Sequence, residues 1–85
     1  MTDVVAIETT VLDVLSDVLR RPPEQVRARP VLATHDWDSL AQLEALAQLE
    51  SRLRITLDLR SYHEVRTLAD LVDLVAAAMA PAGPR

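Results

Sequence analysis

Ser39 carries the hydroxyl best placed to do chemistry in this chain, and it follows Asp38 at the end of a long irregular segment. An Asp at this position caps the free N–H groups of a first helical turn, so the pair has a purely local explanation. The location is more informative, because Ser39 closes a long loop and opens a helix. Loops of this length in compact domains are usually functional or poorly ordered. Ser39 is therefore a candidate functional residue.

The sequence gives little support for a disulfide, a metal site or an enzyme active site. The chain has no Cys, which excludes disulfides and thiolate metal sites. His35 and His63 lie far apart in sequence, and neither has the spacing of a metal-ligand motif. His35 next to Asp36 is more consistent with a solvated loop pair than with a catalytic dyad. With no nucleophile–base pair visible, we predict that the protein is not an enzyme.

The elements that must position Ser39 are helical. Leu, Val and Ala dominate the apolar residues, and the chain has no Phe and only one Trp and one Tyr, which favours helices over strands. We predict an all-α fold, a small four-helix bundle with three main helices, one short helix and a long first loop. The predicted helices span 4–19, 39–53, 61–65 and 67–80, and the long connection over 22–38 contains one turn at 23–26. The domain then covers 1–80, with a flexible tail at 81–85.

Charge restricts the classes of partner. The net charge is −4, and all nine basic residues are Arg. Because the chain is acidic, nucleic acid and anionic membranes repel it. No apolar run approaches the roughly 18 residues of a membrane span, and the N-terminus lacks the pattern of a signal peptide. We expect a cytoplasmic monomer that works with other proteins, with no nucleic-acid or membrane partner.

The helix over 39–53 has two apolar stripes, whereas a single-core bundle needs one. At about 100° per residue, the stripe assigned to the core comprises Ala45, Leu46, Leu49 and Leu53. The second stripe lies roughly opposite and comprises Leu40, Leu43 and Ala47. It is either an ordinary exposure of isolated leucines, which surfaces commonly carry, or a docking face.

The sequence resembles the acyl carrier and peptidyl carrier family over nearly its whole length. The residues that carry the resemblance are Asp38-Ser39-Leu40, Leu43-Glu44, Leu49-Glu50, Leu53, Ile55, Leu57 and the run Thr67-Leu68-Ala69-Asp70-Leu71-Val72. The resemblance implies a four-helix fold in which a phosphopantetheinyl transferase moves 4′-phosphopantetheine from coenzyme A onto the hydroxyl of Ser39. The thiol of that arm then holds an acyl or aminoacyl cargo as a thioester.

The resemblance also implies roles for neighbouring residues. Asp38 matches the acid that caps the helix and helps to hold Mg²⁺ during transfer. The matches to partner-facing positions are Leu40, Leu43, Glu44 and Ala47, to which we add Trp37 from the preceding loop. The partners implied are the transferase, an acyl- or aminoacyl-loading enzyme and the downstream synthase enzymes.

Departures from the family pattern indicate the type of carrier. The family usually has Gly two residues before the Asp, where this chain has Asp36, a residue type that tolerates left-handed backbone. Fatty-acid carriers have a strongly acidic second helix, whereas this helix has only Glu44 and Glu50. The Trp in the segment Asp36-Trp37-Asp38-Ser39-Leu40 is similar to that of discrete carriers of secondary metabolism. The composition, rich in Arg, Ala and Leu, is typical of proteins from bacteria with GC-rich genomes.

We therefore expect a discrete carrier of polyketide or nonribosomal peptide biosynthesis, such as that of an antibiotic. The alternatives are a fatty-acid-synthesis carrier and a helical protein-interaction module that carries nothing.

Overall fold

A computed structural model describes residues 4–79. Within these residues the backbone forms five α-helices and one 3₁₀ turn, with no strand longer than an isolated bridge between Val31 and Thr67. The helices are α1 (Val4–Leu19), α2 (Pro23–Ala28), α3 (Ser39–Leu53), α4 (Leu59–His63) and α5 (Leu68–Met79), and the 3₁₀ turn is Leu32–Thr34. The predicted all-α fold with three long helices is confirmed, while the proposed tail at 81–85 lies outside the described residues.

The core is built around α1, which packs against α2, α3 and α5, while α4 packs against α5. Between residues 4 and 79 every buried side chain belongs to an apolar residue type, so burial of hydrocarbon holds the bundle together. Its most completely buried large side chains include Leu15, Leu32, Leu49 and Leu71. Leu32 comes from the connection between α2 and α3, so that connection is anchored in the core.

That connection is more ordered than predicted. Six residues of α2 replace the expected single turn, with Pro23 in the first helical turn, where its fixed φ is already helical. The carbonyl of Pro22 accepts hydrogen bonds from the N–H groups of Gln25 (3.0 Å) and Val26 (3.3 Å). Val26 is fully buried. Two anchors, Val26 and Leu32, therefore fix the path of the chain toward α3.

The short helix α4 begins at Leu59, two residues before the predicted start at Ser61. Asp58 is its N-cap, because one carboxylate oxygen accepts from the Ser61 N–H at 2.9 Å and from the Ser61 hydroxyl at 2.8 Å. The bond from the Ser61 N–H lowers the pKa of Asp58. Tyr62, the fourth residue of α4, is buried.

A reciprocal capping box starts α5, as the sequence predicts with Asp in place of Glu. The Asp70 N–H donates to Oγ1 of Thr67 at 3.1 Å, and the Thr67 N–H donates to Oδ2 of Asp70 at 3.2 Å. Thr67 is thus the cap and Leu68 the first helical residue, one position later than predicted. The same oxygen of Asp70 accepts from the Arg66 N–H, which lowers the pKa of Asp70.

Candidate functional site

Ser39 is the first residue of α3, and its side chain is exposed. Asp38 has an extended backbone and caps the helix, with Oδ1 accepting from the Ala41 N–H at 2.8 Å. Across residues 4–79 no group forms a hydrogen bond with the Ser39 hydroxyl. The capping function thus belongs to Asp38, and the serine oxygen remains accessible.

The segment before Ser39 needs no glycine. Among residues 4–79 only Arg20 and Arg54 have positive φ, so Asp36 occupies backbone space open to any residue. The Trp37 N–H donates to the carbonyl of His35 at 2.8 Å, and the Trp37 carbonyl accepts from the Gln42 side chain at 3.2 Å. These bonds connect the loop to the first turn of α3 and hold Ser39 at the surface.

Exposure along α3 follows the two stripes. Leu40 and Leu43 are each 64% exposed, which places most of both side chains in solvent. Ala47 and Glu44 are exposed as well. On the other side Ala41, Ala45 and Leu49 are buried, while Leu46 and Leu53 are half-buried against the core. The core assignment of the first stripe is confirmed, and the docking role of the second stays a prediction.

Trp37 is half-buried and packs against the core. Its ring meets that of Tyr62 edge to face, with the centroids 6.3 Å apart and the planes at 65°. This is a favourable arrangement for two aromatic rings. Trp37 therefore joins the loop before Ser39 to α4, and only part of its ring faces solvent for the docking role predicted from sequence.

A groove of about 270 Å³ opens between α3 and α4 beside Ser39. Its other lining residues are Gln42, Leu43, Leu46, Leu59, Tyr62 and His63. Sequence reasoning assigned no role here to the three from α4, because the wall exists only once α4 packs beside α3. The one feature of the sequence that could have indicated this wall is Tyr62, the single Tyr of a chain poor in aromatic residues.

Tyr62 joins the two walls of that groove. Its hydroxyl donates to the backbone carbonyl of Gln42 in α3. Burial raises the pKa of the phenol, so the group remains a protonated donor at all physiological pH values. The width of the groove is thereby fixed by a hydrogen bond as well as by packing.

The two acidic residues of α3, Glu44 and Glu50, make different contacts. Oε2 of Glu50 accepts from the Leu57 N–H at 2.8 Å, so this carboxylate holds the loop after the helix. Glu44 forms no ion pair with any described residue. No group of three or more His, Asp or Glu side chains in residues 4–79 is arranged to hold a metal ion. Asp38 is accordingly a single carboxylate with one oxygen used for capping.

A family model described as the phosphopantetheine attachment site matches residues 9–75. The chain belongs to this family. Comparison with curated proteins and with solved structures gives no significant match. Within residues 4–79, no helix combines the length and apolar character needed to cross a membrane.

Membership of the family establishes the class of function. The protein is a carrier, not a catalyst: a phosphopantetheinyl transferase attaches 4′-phosphopantetheine covalently to one of its serines, and loading and synthase enzymes then act on the arm. The exposed, unbonded hydroxyl of Ser39 fits such a group, since a substituent there displaces no existing contact. The match covers all four serines of the chain, however, so it does not by itself select one.

Proposed function

We propose that Ser39 is the attachment serine. The observation that carries this assignment is a comparison among the four serines. The hydroxyl of Ser16 donates to the Arg21 carbonyl and that of Ser61 to Asp58, so both are engaged. Ser51 lies in the last turns of α3, far from the helix start. Ser39 alone combines a helix start with a free hydroxyl and a groove beside it.

The arm supplies a thiol that holds the cargo as a thioester. The rest of the function belongs to the chain. α3 holds Ser39 at the surface, where its phosphodiester would meet the free N–H groups and the positive end of the helix dipole. A tethered cargo reaches successive active sites at a high effective concentration, which is the physical value of a carrier.

Intact-mass measurement with a broad-specificity transferase, coenzyme A and Mg²⁺ tests the assignment. Wild type should gain one phosphopantetheine, and Ser39→Ala should gain none. Ser51→Ala is the matched control, because Ser51 is an exposed serine of the same helix, and it should be modified like wild type. Modification of Ser39→Ala, or an unmodified wild type across several transferases, would refute the proposal.

Asp38 has a second proposed task beyond capping, which is to help hold Mg²⁺ during transfer. Asn caps helices as well as Asp does, so Asp38→Asn separates the two tasks. We expect this variant to keep the wild-type Tm and to need more Mg²⁺ for the same rate of modification. An unchanged Mg²⁺ dependence would leave Asp38 with the capping role alone.

The docking patch, which we define as Leu40, Leu43, Glu44 and Ala47, is proposed as the surface that partners contact. Its chemistry is mainly apolar, and Glu44 is the single acid in it. Glu50, the other acid of α3, is engaged by the Leu57 N–H and so has less to offer a basic partner. Trp37 adjoins the patch through the loop, with its half-buried ring contributing a smaller contact area.

We infer from this apolar patch that the carrier serves secondary metabolism, in a polyketide or nonribosomal peptide type of pathway in the bacterial cytoplasm. An apolar contact depends weakly on ionic strength, whereas docking through many charges is screened by salt. Loading of the holo protein should therefore proceed with discrete secondary-metabolism enzymes and change little between low and high salt. Faster loading by fatty-acid-synthesis enzymes, with a steep salt dependence, would favour the fatty-acid carrier instead.

A further inference from the structure

His63 is the last residue of α4, and its imidazole is exposed at the groove that Ser39 also lines. The ring stands beside the Tyr62 ring, with the centroids 6.2 Å apart, and it forms no hydrogen bond with any group in residues 4–79. His63 also borders an adjoining cavity of about 420 Å³ that contains Trp37 and Arg66. The His63 ring thus contacts the Tyr62 ring at a tilt of 56° while both of its ring nitrogens remain available.

His63 differs in charge from the other residues that line the groove. His63 is the only member of the lining that can carry a positive charge, and the Tyr62 phenol stays neutral because burial raises its pKa. From α3 the groove receives no charged side chain. The charged neighbours of His63 are Arg66 in the adjoining cavity and Arg60 and Glu64 on its own segment. An anion on Ser39 therefore meets one ionisable cation across the groove.

We propose that His63 binds the phosphodiester through which the arm is attached to Ser39, and so orients the root of the arm along the groove between α3 and α4. This inference rests on the proposed attachment at Ser39. The imidazole donates N–H to a phosphate oxygen, and the contact strengthens when the ring is protonated. His63 is a positioning residue for the arm and takes no part in making or breaking a bond.

Binding of the phosphodiester by His63 changes the pKa of the imidazole in one predictable direction. A nearby anion favours the protonated ring, so the pKa of His63 rises when the apo protein becomes holo. Because the site is exposed and screened by water, we expect this rise to be small. The contact is then strongest below that raised pKa and weakens as the pH climbs through it.

NMR titration of the two histidines in apo and holo protein provides the test. His35 is the internal control, because a ring nitrogen lies 2.9 Å from the Arg29 carbonyl and the ring does not line the groove. The pKa of His63 should rise in the holo form while that of His35 stays unchanged. In Ser39→Ala treated with transferase and coenzyme A, neither should move.

The ³¹P resonance of the arm gives a second readout. In holo wild type it should titrate with the pKa of His63, and in holo His63→Gln that titration should disappear while it persists in holo His35→Gln. A full mass shift on Ser39 with an unmoved His63 would overturn this inference and leave the attachment assignment standing. Absence of the mass shift would overturn both.

Discussion

Replacing Leu40 and Leu49 by alanine, one at a time, should separate the two faces of α3. The residues are nine positions apart, which places them on opposite sides of a helix at about 100° per residue. Leu49 is 0% exposed in the core, whereas 64% of Leu40 is exposed. The same side chain is removed from the same helix in each case, so each variant is a matched control for the other.

Leu49→Ala should be costly for stability. A fully buried Leu→Ala substitution lowers the free energy of unfolding by about 2–5 kcal/mol, because it loses hydrophobic burial and leaves a cavity. A domain of this size has about 4–13 kcal/mol in total. At about 4–8 °C per kcal/mol, a loss of 3 kcal/mol lowers Tm by about 12–24 °C. Leu40→Ala should stay within about 0.5 kcal/mol of wild type, or about 4 °C.

Leu40→Ala should instead weaken the encounter with enzymes. Full burial of a Leu side chain contributes about 1.5–3 kcal/mol, and nearly two thirds of Leu40 remains to be buried against a partner. That leaves about 1–2 kcal/mol, which corresponds to a five- to thirty-fold drop in kcat/KM for transfer of the arm or the cargo.

Calorimetry and transferase kinetics on the three proteins check both halves of this prediction. Val31→Ala serves as a control for exposed apolar surface outside the docking patch, since Val31 is 46% exposed. Its kcat/KM should match wild type. A Tm lower for Leu40→Ala than for Leu49→Ala would show that the faces are reversed. An unchanged kcat/KM for Leu40→Ala would remove the docking patch from the transferase interface.

Three further predictions concern the backbone, acid stability and the loop before Ser39. Arg54 follows α3 with φ 55°, a left-handed conformation that glycine adopts without steric cost. Arg54→Gly should therefore raise the free energy of unfolding, measured by urea titration, by about 1 kcal/mol. A decrease would mean that the Arg side chain has a stabilising contact. The pKa of Asp70 is lowered chiefly by the Arg66 N–H, so its contribution to stability is present above about pH 4 and is lost as the pH falls through the lowered value. Tm of Asp70→Asn should accordingly depend less on pH below 4 than that of wild type, and parallel curves would contradict this. The fluorescence of Trp37 should change when the apo protein becomes holo, and superimposable spectra would mean that the phosphodiester does not alter the surroundings of the indole.

Local capping chemistry explains why much of the fold was predictable from sequence. Asp38 before Ser39 and the Thr67–Asp70 box are short-range hydrogen-bond patterns, and both occur in the structure. The start of α4 was predicted two residues late, because the prediction at Ser61 gave no capping role to Asp58. In the structure Ser61 donates to Asp58, so the carboxylate is the cap and the serine lies inside the helix.

The groove could not be read from sequence, because it depends on contacts between distant segments. Twenty residues separate Tyr62 from Gln42, whose carbonyl it binds. The six residues of α2 were similarly underestimated, since a helix of fewer than two turns shows too little periodicity to be recognised. Burial of Val26, a tertiary effect, holds that helix in place.

The contact between Trp37 and Tyr62 has an optical consequence. These are the only Trp and Tyr in the chain, and Phe is absent, so every aromatic chromophore apart from the two imidazoles is concentrated in this one pair. At a centroid separation of 6.3 Å the phenol is close enough to transfer its excitation to the indole, so we expect emission mainly from Trp37. The aliphatic bundle formed by α1 and α5 absorbs nothing in the near ultraviolet. A near-ultraviolet dichroism spectrum of this protein therefore describes the edge of the groove beside Ser39, with no background from the remainder of the molecule.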